Sequence, residues 1–419
     1  MNKLIFVNRY FYPDESATSQ LLTDLGFRLA DGGHNVHVIT SRQLLEDPKA
    51  SLEPKESVRG VAVHRIWTST WGRFNLLGRA FDYLTFHIFS AFALLRLVGP
   101  GDIVVAKTDP PMIGFVAGLV ASLRGGKLVN WMQDIYPEIA DRLEVSGISG
   151  IGRGLRALRN STCAKADQNV VIGRCMREFL LAEGIDEESL SVIPNWVNDR
   201  MIRPIPKENN TLASLWGLQD KLVIGYSGNI GRGHDFNALL LAAEAMADDP
   251  AVTFLFIGNG ARRQDVEDRA RALNLRNVVF QPYQPYALLP LSLTVPDIHV
   301  VTLQSEMSGL LVPSKFYGAL AVGRPVVFIG PSDCEVARVI NAHECGYVLE
   351  PDEIDRLGIV LRELCTNAEM RLAMGQRARQ ALDLEYSREH ALVSWQGLLT
   401  EVADNAGAAG AVVSDAPNR

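Results

Sequence analysis

Two kinds of hydrophobic pattern alternate along the chain. Short apolar runs, which predict buried strands, are KLIFVN, NVHVIT, VAVHRIW, DIVVAKT, KLVNWMQ and QNVVIG in the first half. Between the first two runs, Leu21, Leu25 and Leu29 recur at helical spacing, and the pair Gly32-Gly33 predicts where this helix ends. Buried strands that alternate with helices are typical of βα units around a parallel sheet.

The alternation restarts after a segment of different composition. Residues 191–211, SVIPNWVNDRMIRPIPKENNT, contain three prolines and little periodicity, which indicates a linker. The strand candidates after it are KLVIGYSGN, VTFLFIGNG, NVVFQPY, DIHVVTL and RPVVFIG. Two such arrays in 419 residues predict an α/β protein with two doubly wound, Rossmann-like parallel-sheet domains that face a cleft.

The predicted division of the chain has five parts. They are an N-terminal domain at 1–195, a linker at 196–215, a C-terminal domain at 216–386, a C-terminal helix at 387–405 and a disordered tail at 406–419. The helix has Leu392, Trp395 and Leu399 on one face, and we expect it to pack back on the N-terminal domain. The tail is predicted from its small and polar composition.

Composition and charge exclude several classes of protein. The chain has 41 Lys and Arg against 48 Asp and Glu, so its net charge of −7 argues against a nucleic-acid partner. The charge is uneven, because residues 1–190 hold 21 basic and 21 acidic residues and the rest hold 20 and 27. The five cysteines show no C-x-x-C spacing and the eight histidines no metal-ligand spacing, which favours a metal-free protein of the reducing cytoplasm. We expect no signal peptide, because MNKLIFVNRYF is typical of a strand.

Two strand-to-helix loops of the second half are suited to an anion, because ligands of doubly wound sheets bind outside the carboxyl ends of the strands. In SGLLVPSKFYGALAVGRPVV, Gly309 permits close backbone approach, Ser314 can cap the helix that follows, and Lys315 adds a cation. The unpaired amides and dipole of a helix N-terminus favour phosphate there. A surface lysine without a ligand would fit the same residues.

The second loop, SGNIGRGHD, also follows an apolar strand and contains three glycines and Arg232. Neither loop is a Walker A sequence or a dinucleotide fingerprint. Two phosphate-suited loops with one cation each, in one domain, indicate a diphosphate ligand and make the interpretation without a ligand less favoured.

Taken in order, four motifs of the C-terminal half resemble the nucleotide-sugar domain of family 4 glycosyltransferases, which have the two-domain GT-B fold. They are VIGYSGNIGRGHDFNALLLAAEAM, FLFIGNGARRQDVE, NVVFQPYQPYALLPLSL and EMSGLLVPSKFYGALAVGRPVV. In the first half, YFYPDESATSQLLTDLGFRLADGGHNVHVIT, WMQDIYPE and VIPNWVND are similar to family segments. Within the family, the chain resembles bacterial transferases of polysaccharide assembly, such as fucosamine and colanic-acid transferases.

This resemblance implies a donor site in the C-terminal domain. Arg232 and Lys315 would hold the donor diphosphate and neutralise the leaving group, and Glu306 would contact the donor sugar. Tyr283 would lie where the base is held. The other expected donor contacts are Gly228, Asn229, Gly309, Leu310 and Ser314. Gly318 aligns with the glutamate that holds the ribose in the family.

The acceptor would bind to the N-terminal domain. Asp134, beside Gln133 where the family has a histidine, could take the acceptor proton or stabilise positive charge on the anomeric carbon. The alternative is that Asp134 only caps the turn before Pro137. In the opening loop, Asp14, Ser16 and Thr18 offer hydrogen bonds to an acceptor, although capping alone explains one or two of them.

The sequence therefore predicts a retaining glycosyltransferase that moves a hexosyl or N-acetylhexosaminyl group from a nucleoside-diphosphate sugar to an acceptor hydroxyl, without metal or cofactor. Its catalytic residues would be Asp134, Glu306, Arg232 and Lys315. The expected acceptor is a lipid-linked, for example polyprenyl-linked, saccharide of bacterial cell-surface polysaccharide synthesis. Two alternatives stay open: a GT-B-fold epimerase or phosphorylase, and an inactive nucleotide-sugar-binding protein.

A further expected partner is an anionic membrane surface at the inner face of the cytoplasmic membrane. Residues 59–99 contain five arginines, eight aromatic residues and one acid, Asp82, and GRGLRALRNSTCAK adds four basic residues. A basic, aromatic-rich helical surface suits lipid headgroups. The alternative is that the helix at 76–98 belongs to the core. Its charged residues make it a poor spanning helix.

Overall fold

The computed structural model describes residues 2–73, 76–143 and 152–411. The chain forms two compact units: the first is the part up to Pro194 together with the segment from Ala391 onward, and the second is Asn195–His390. Each unit is a parallel sheet with flanking helices. The predicted fold class, two doubly wound α/β domains, is confirmed.

The first unit is built on an eight-stranded sheet. Its strands are β1 (Lys3–Val7), β2 (Asn35–Ser41), β3 (Lys55–Val58), β4 (Val61–Ile66), β5 (Ile103–Lys107), β6 (Lys127–Met132), β7 (Gln168–Val171) and β8 (Leu190–Val192). Its helices are α1 (Ala17–Asp31), α2 (Leu76–Leu97), α3 (Ile113–Arg124), α4 (Glu138–Arg142), α5 (Gly152–Lys165) and α6 (Arg174–Ala182). Helix α1 ends where Gly32 caps it and Gly33 adopts φ 84°, as the glycine pair predicts.

The strand order is β3-β4-β2-β1-β5-β6-β7-β8, and all pairs except β3 with β4 are parallel. The connections change direction between β1 and β5, so the carboxyl ends of these two strands flank the switch point where ligands of such sheets bind. Helix α2 lies against the sheet, with Phe86 and Leu94 buried among residues of β1 and β5. The core of this unit therefore fixes the loops after β1, β5 and β6.

The second unit is built on a six-stranded, fully parallel sheet. Its strands are β9 (Leu222–Ser227), β10 (Val252–Ile257), β11 (Val278–Gln281), β12 (Ile298–Thr302), β13 (Val326–Ile329) and β14 (Gly346–Leu349). Its helices are α7 (Thr211–Leu215), α8 (Asn237–Ala245), α9 (Arg263–Ala272), α10 (Leu289–Thr294), α11 (Lys315–Ala321), α12 (Glu335–His343), α13 (Ile354–Thr366) and α14 (Ala368–Ala381). The order β11-β10-β9-β12-β13-β14 places the switch point between β9 and β12.

Residues 196–215, expected to be a linker, belong to the second unit. The physical reason is local capping and burial that the prolines obscure in the sequence. The Asn210 side chain accepts hydrogen bonds from the amides of Leu212 and Ala213 and so caps α7. Leu212 and Ala213 are buried in a cluster with β9 and β10.

The last helix, α15 (Arg388–Ala411), lies in the first unit from Ala391 onward. Trp395 is fully buried with its ring 4.6 Å from that of Trp131 on β6, and Lys127 donates a hydrogen bond to the carbonyl of Val402. The helix extends to Ala411, so residues 406–411 are helical rather than part of a disordered tail. Residues 412–419, the rest of that predicted tail, lie outside the described residues.

Candidate active site

Lys315 is the first residue of α11, and its ammonium group lies at the carboxyl edge of the second sheet. Its Nζ donates to Nε2 of His234 at 3.0 Å and to the hydroxyl of Tyr226, whose ring centroid lies 4.3 Å away. Burial lowers the pKa of Lys315 well below its usual value, and no charged group opposes this shift. Within the residues that the structure describes, this half-buried cation has no carboxylate counterion.

His234 fixes the position of that ammonium. Its Nδ1 lies 2.6 Å from the carbonyl oxygen of Thr302, which only accepts, so Nδ1 carries the proton and Nε2 accepts from Lys315. Burial, and secondarily the Lys315 charge, lowers the pKa of His234 to about 3. The imidazole is therefore neutral at physiological pH and acts as an acceptor that aims the lysine. We did not predict this role, although His234 stands two residues after Arg232 in the same loop.

The glycine-rich loop after β9 makes room for the lysine. Gly228 has φ 137°, and a Cβ there would lie 3.1 Å from Cε of Lys315. The loop is anchored to its neighbours, because Ile230 donates to the carbonyl of Asn259 at 2.8 Å and Gln304 donates to that of Gly233 at 3.0 Å. The carboxyl ends of β9, β10 and β12 thus form one connected surface around Lys315.

The other expected donor contacts lie on these loops or near them. Arg232, Asn229 and Glu306 are exposed, and the described part of the chain offers Arg232 no ion pair. Tyr283 is 46% exposed and close enough to Tyr226 to raise the pKa of that phenol, together with the larger effect of burial. Arg232 belongs to the same loop as His234, the partner of Lys315, and two cations on these loops suit a ligand that carries several negative charges.

Some of the expected contacts are already used by the protein itself. The amide of Gly228 donates to the carbonyl of Ile257 at 2.8 Å, and that of Leu310 donates to Met307 at 3.1 Å, so neither amide is available to a phosphate. Ser314 stands at the N-cap of α11, but its hydroxyl makes no capping hydrogen bond, contrary to the expectation. Gly309, at φ 73°, keeps the loop tight.

Gly318 does not face the same space as Lys315. It is buried, and a Cβ there would lie 3.4 Å from Leu293 of α10. A glutamate at this position would enter the packing between α10 and α11. The expectation that Gly318 occupies the place of a ribose-binding acid is therefore not supported by its surroundings.

Asp134 belongs to a separate group of residues in the first unit. It follows β6 and is half-buried, and its carboxylate has no hydrogen-bond partner among the described residues. Burial and, second, the charge of Asp109 raise its pKa to about 6. Helix α4 has Pro137 as its N-cap residue and no side-chain cap, so Asp134 is not a capping residue. A free carboxylate that titrates near neutrality is suited to proton transfer.

A small pocket of about 40 Å³ opens beside Asp134. It lies between α3, β6 and α5, and its lining is mostly apolar apart from a few polar groups at its walls. The lining residues that matter below are Met112, Phe115, Met132, Asp134 and Tyr136. A volume of this size holds one small group of a ligand and is far below that of a pocket for a whole ligand.

The opening loop has mainly internal hydrogen bonds. The two carboxylate oxygens of Asp14 accept from the amides of Ser16 at 2.8 Å and Leu45 at 2.6 Å, so capping explains this residue. Ser16 is the N-cap residue of α1 without a capping bond, and its buried hydroxyl lacks a partner in the described structure. Thr18 Oγ1 lies 3.4 Å from Asp109. Of the three side chains, only that of Ser16 has no hydrogen-bond partner in the described structure.

Buried charges at the switch point of the first sheet were not predicted. Lys107 is 1% exposed, lies 3.7 Å from the ring centroid of Trp131 and donates to the carbonyl of Thr18 at 2.9 Å. Arg9 approaches Asp82 at 3.4 Å. Burial raises the pKa of Asp109, against the opposing charges of Arg9 and Lys107. The only sequence signal is a polar residue at the end of some apolar runs, as in DIVVAKT.

Among the described residues, no group of three or more His, Cys, Asp or Glu side chains is arranged to hold a metal ion. The arrangement instead offers two cations near an open loop in one unit and a free carboxylate beside a pocket in the other. Such parts can neutralise a leaving anion and accept a proton.

Comparison with known proteins assigns these parts to a class of enzyme. The family Glycosyl transferases group 1 matches residues 215–381, and the family Glycosyl transferase 4-like domain matches residues 19–196. The chain belongs to the family 4 glycosyltransferases, with the GT-B fold. The resemblance inferred from the motifs is thereby confirmed.

Two bacterial relatives match most of the chain. The probable glycosyltransferase WbjE of Pseudomonas aeruginosa is 29% identical over 289 residues, which is 68% of this chain and 71% of that protein. A protein of Escherichia coli K12 named as a colanic acid biosynthesis glycosyl transferase, WcaI, is 26% identical over 276 residues, 64% of this chain and 67% of its own.

Solved structures share the fold over nearly the whole length. Sucrose-phosphate synthase from Thermosynechococcus elongatus superposes with a TM-score of 0.74 at 16% identity, covering 96% of this chain and 99% of that one. Anabaena HepE in complex with UDP-glucose gives 0.72 at 14% identity, covering 96% and 100%. At these identities the likeness shows the fold alone.

Proposed function

We propose that this glycosyltransferase moves a hexosyl or N-acetylhexosaminyl group from a nucleoside-diphosphate sugar to an acceptor hydroxyl, with retention of the anomeric configuration and without a metal ion. The observation that carries the proposal is Lys315, a cation aimed by His234 and Tyr226 and left without a counterion. A desolvated cation of this kind is stabilised when an anion binds. Diphosphate supplies that anion in the donor, and HepE, a structural neighbour, was solved with UDP-glucose.

The transfer changes two bonds at the anomeric carbon and one at the acceptor oxygen. The carbon's bond to the diphosphate oxygen breaks, the acceptor oxygen forms a new bond, and the acceptor hydroxyl loses its proton. Lys315 and Arg232 neutralise the charge that develops on the diphosphate, and Asp134 accepts the proton. Glu306 and Tyr283 are assigned to the donor sugar and base by the family resemblance.

The acceptor is assigned to the pocket beside Asp134. The pocket is only large enough for the reacting hydroxyl, which would meet the free carboxylate, while the rest of a lipid-linked saccharide would lie outside it along the apolar wall. A role in bacterial cell-surface polysaccharide synthesis is supported by WcaI, which is named for colanic acid biosynthesis. We place the enzyme in the cytoplasm, where nucleotide sugars are available.

The experiment that tests this function uses purified full-length protein. Thermal-shift measurements with UDP, GDP, TDP and ADP identify the base, and the matching nucleotide sugars are then incubated with lipid-linked saccharides in EDTA. NMR of the product reports the anomeric configuration. Nucleotide binding with neither transfer nor donor hydrolysis would show an inactive binding protein, and a requirement for added metal would contradict the metal-free mechanism.

Arg232→Ala is expected to weaken nucleoside diphosphate binding about tenfold, because an exposed charge-assisted contact is worth roughly 1.5 kcal/mol. The loss should shrink at high salt, since exposed charges are screened. Isothermal titration calorimetry measures it. Arg276→Ala, at another exposed arginine of the same unit, is the matched control. Equal affinity of the Arg232 variant and the control would remove Arg232 from the site.

Donor binding is expected to take up a proton. The pKa of Lys315 is depressed in the free protein, and a bound diphosphate would raise it again, so between the two values binding adds a proton. Affinity should therefore fall as the pH rises through that window. Calorimetry in buffers of different ionisation enthalpy measures the uptake, and Lys315→Met should abolish it. Uptake that persists in this variant would contradict the assignment.

A further inference from the structure

Three helices of the first unit lie side by side on one face of its sheet, since α2 contacts α3 and α3 contacts α5. The outward side chains of α2 and α3 form one continuous apolar face. It consists of Leu77, Phe81, Leu84, Ile88, Phe92 and Leu95 on α2 and Phe115, Leu119 and Leu123 on α3. The spacing of three, four or seven residues puts each set on one side of its helix. Leu77 is 81% exposed and Leu123 is 69% exposed.

Aromatic residues border the apolar face at the start of α2. Trp71 stacks on Phe81 with ring centroids 4.8 Å apart, and Trp67 meets Phe89 edge to face at 5.5 Å. Both tryptophans are more than half exposed. Tryptophan favours the boundary between hydrocarbon and water, where its ring and its N–H group are both satisfied.

The exposed charges on the three helices themselves have one sign. Helices α2, α3 and α5 together contain a single acid, Asp82, which is 3% exposed and accepts hydrogen bonds from the amides of Trp71 and Gly72 at 2.9 Å each. The exposed basic residues on these helices are Arg79, Arg96, Arg124, Arg153, Arg156 and Lys165. Arg156 is partly neutralised by Glu138 at 2.9 Å. The three helices thus combine exposed hydrocarbon with exposed positive charge and carry no exposed carboxylate.

We propose that the apolar face docks on an anionic lipid bilayer. Soluble monomers seldom expose so large a contiguous apolar surface without an occupant. The leucines and phenylalanines would be buried among lipid tails, and the surrounding arginines would form ion pairs with anionic headgroups. A second copy of this chain would bring the same positive charges into contact with these, so like-charge repulsion disfavours self-association.

The helix lies on the bilayer rather than across it. In the described residues, Leu77–Leu97 is long and apolar enough to span a membrane. Its inner side, however, holds Phe86 and Leu94 in the core of the sheet, and Asp82 anchors the preceding turn. Spanning would require α2 to leave that core. A helix with one buried face and one exposed apolar face is suited to the interfacial layer.

Docking would also bring lipid to the acceptor pocket. Phe115 belongs to the apolar face and also lines the pocket of Asp134, and the pocket lies between α3 and α5. A lipid-linked acceptor could therefore remain in the bilayer while its saccharide reaches Asp134. This last step rests on the proposed function, whereas docking itself does not.

Vesicle sedimentation of the full-length protein tests the docking. Wild type should sediment with phosphatidylglycerol-containing vesicles, be released at ~1 M NaCl, and bind phosphatidylcholine vesicles at least about tenfold more weakly. Phe92→Glu and Arg153→Glu should each reduce binding at least about tenfold. Ile359→Glu and Arg276→Glu, at exposed positions of the second unit, are the matched controls and should bind as wild type. Circular dichroism and the melting temperature verify that each variant is folded.

Three results would overturn the proposal. They are equal binding to both lipids or to neither, undiminished binding of folded Phe92 and Arg153 variants, and binding that high salt does not release. If light scattering shows a dimer that Phe92→Glu dissociates while wild type ignores vesicles, the apolar face is an interface between copies instead. None of these results depends on turnover, so docking can fail while the glycosyltransferase activity stands.

Discussion

Replacement of Lys315 by methionine is expected to lower kcat/KM by about 10²–10³, the usual effect of removing one preorganised group that stabilises developing charge. Methionine keeps much of the length of the side chain and removes only the charge. The loss should appear mainly in kcat if the ammonium acts on the departing diphosphate, and mainly in KM if it only binds the donor. Steady-state kinetics with the donor identified by thermal shift separates the two.

The fold should survive this change. Burial disfavours the charged form of Lys315 in the free protein, so removing the charge should leave the melting temperature unchanged or raise it. Lys221→Met is the matched control, since Lys221 lies in the same unit and bonds only a surface carbonyl, that of Pro250. Turnover of the Lys315 variant within about twofold of this control, the scale of an ordinary surface substitution, would contradict the assignment.

Asp134→Asn is expected to lower kcat by about 10²–10⁴ while donor affinity stays unchanged, because the variant keeps the shape and loses the base. The pH profile gives a second signature. A general base acts when deprotonated, so the rate should rise with pH through about 6, where Asp134 titrates. This limb should disappear from the residual activity of the variant.

Stability provides an independent check on Asp134. Its pKa is higher in the folded protein than in the unfolded chain, so the folded state binds the extra proton and loses stability as the pH rises from about 4 to about 6. Asparagine removes that penalty and should raise the melting temperature at pH 7. Asp31→Asn, at an exposed aspartate paired with Arg59, is the control. An Asp134 variant that retains most of its turnover would exclude the base role.

The sequence was most informative where long apolar runs are buried on both faces. All eleven runs predicted as strands lie on strands of the two sheets, and ten of them are interior strands, which must be hydrophobic because both of their faces are covered. The three strands that were missed lie at sheet edges, where this requirement is weaker. β3, for example, reads KESV and is mostly exposed. Residues 196–215 contain the short helix α7, capped by Asn210, which the sequence did not predict because prolines precede it and it is only five residues long.

For the donor site, the sequence predicted which loops form it but not the contacts between those loops. Glycines and a cation after an apolar strand signal an anion site, which is how Lys315 and Arg232 could be proposed. The role of His234 depends on a carbonyl of Thr302, 68 residues later, and no local pattern predicts that contact. The pairing of Gly228 and Leu310 amides with other carbonyls is likewise a property of the folded loops.

Helix α15 has a consequence for biosynthesis. The second unit is one continuous stretch, Asn195–His390, whereas the first is completed only when Trp395 covers Trp131. During translation the second unit can therefore finish folding while the first, although made earlier, still exposes an aromatic surface. The first unit can therefore complete its core only after α15, the last helix, has been synthesised. This is the reverse of the usual order, in which the N-terminal domain folds first. A ribosome-bound chain stalled before Ala391 should be recognised by chaperones at its N-terminal part.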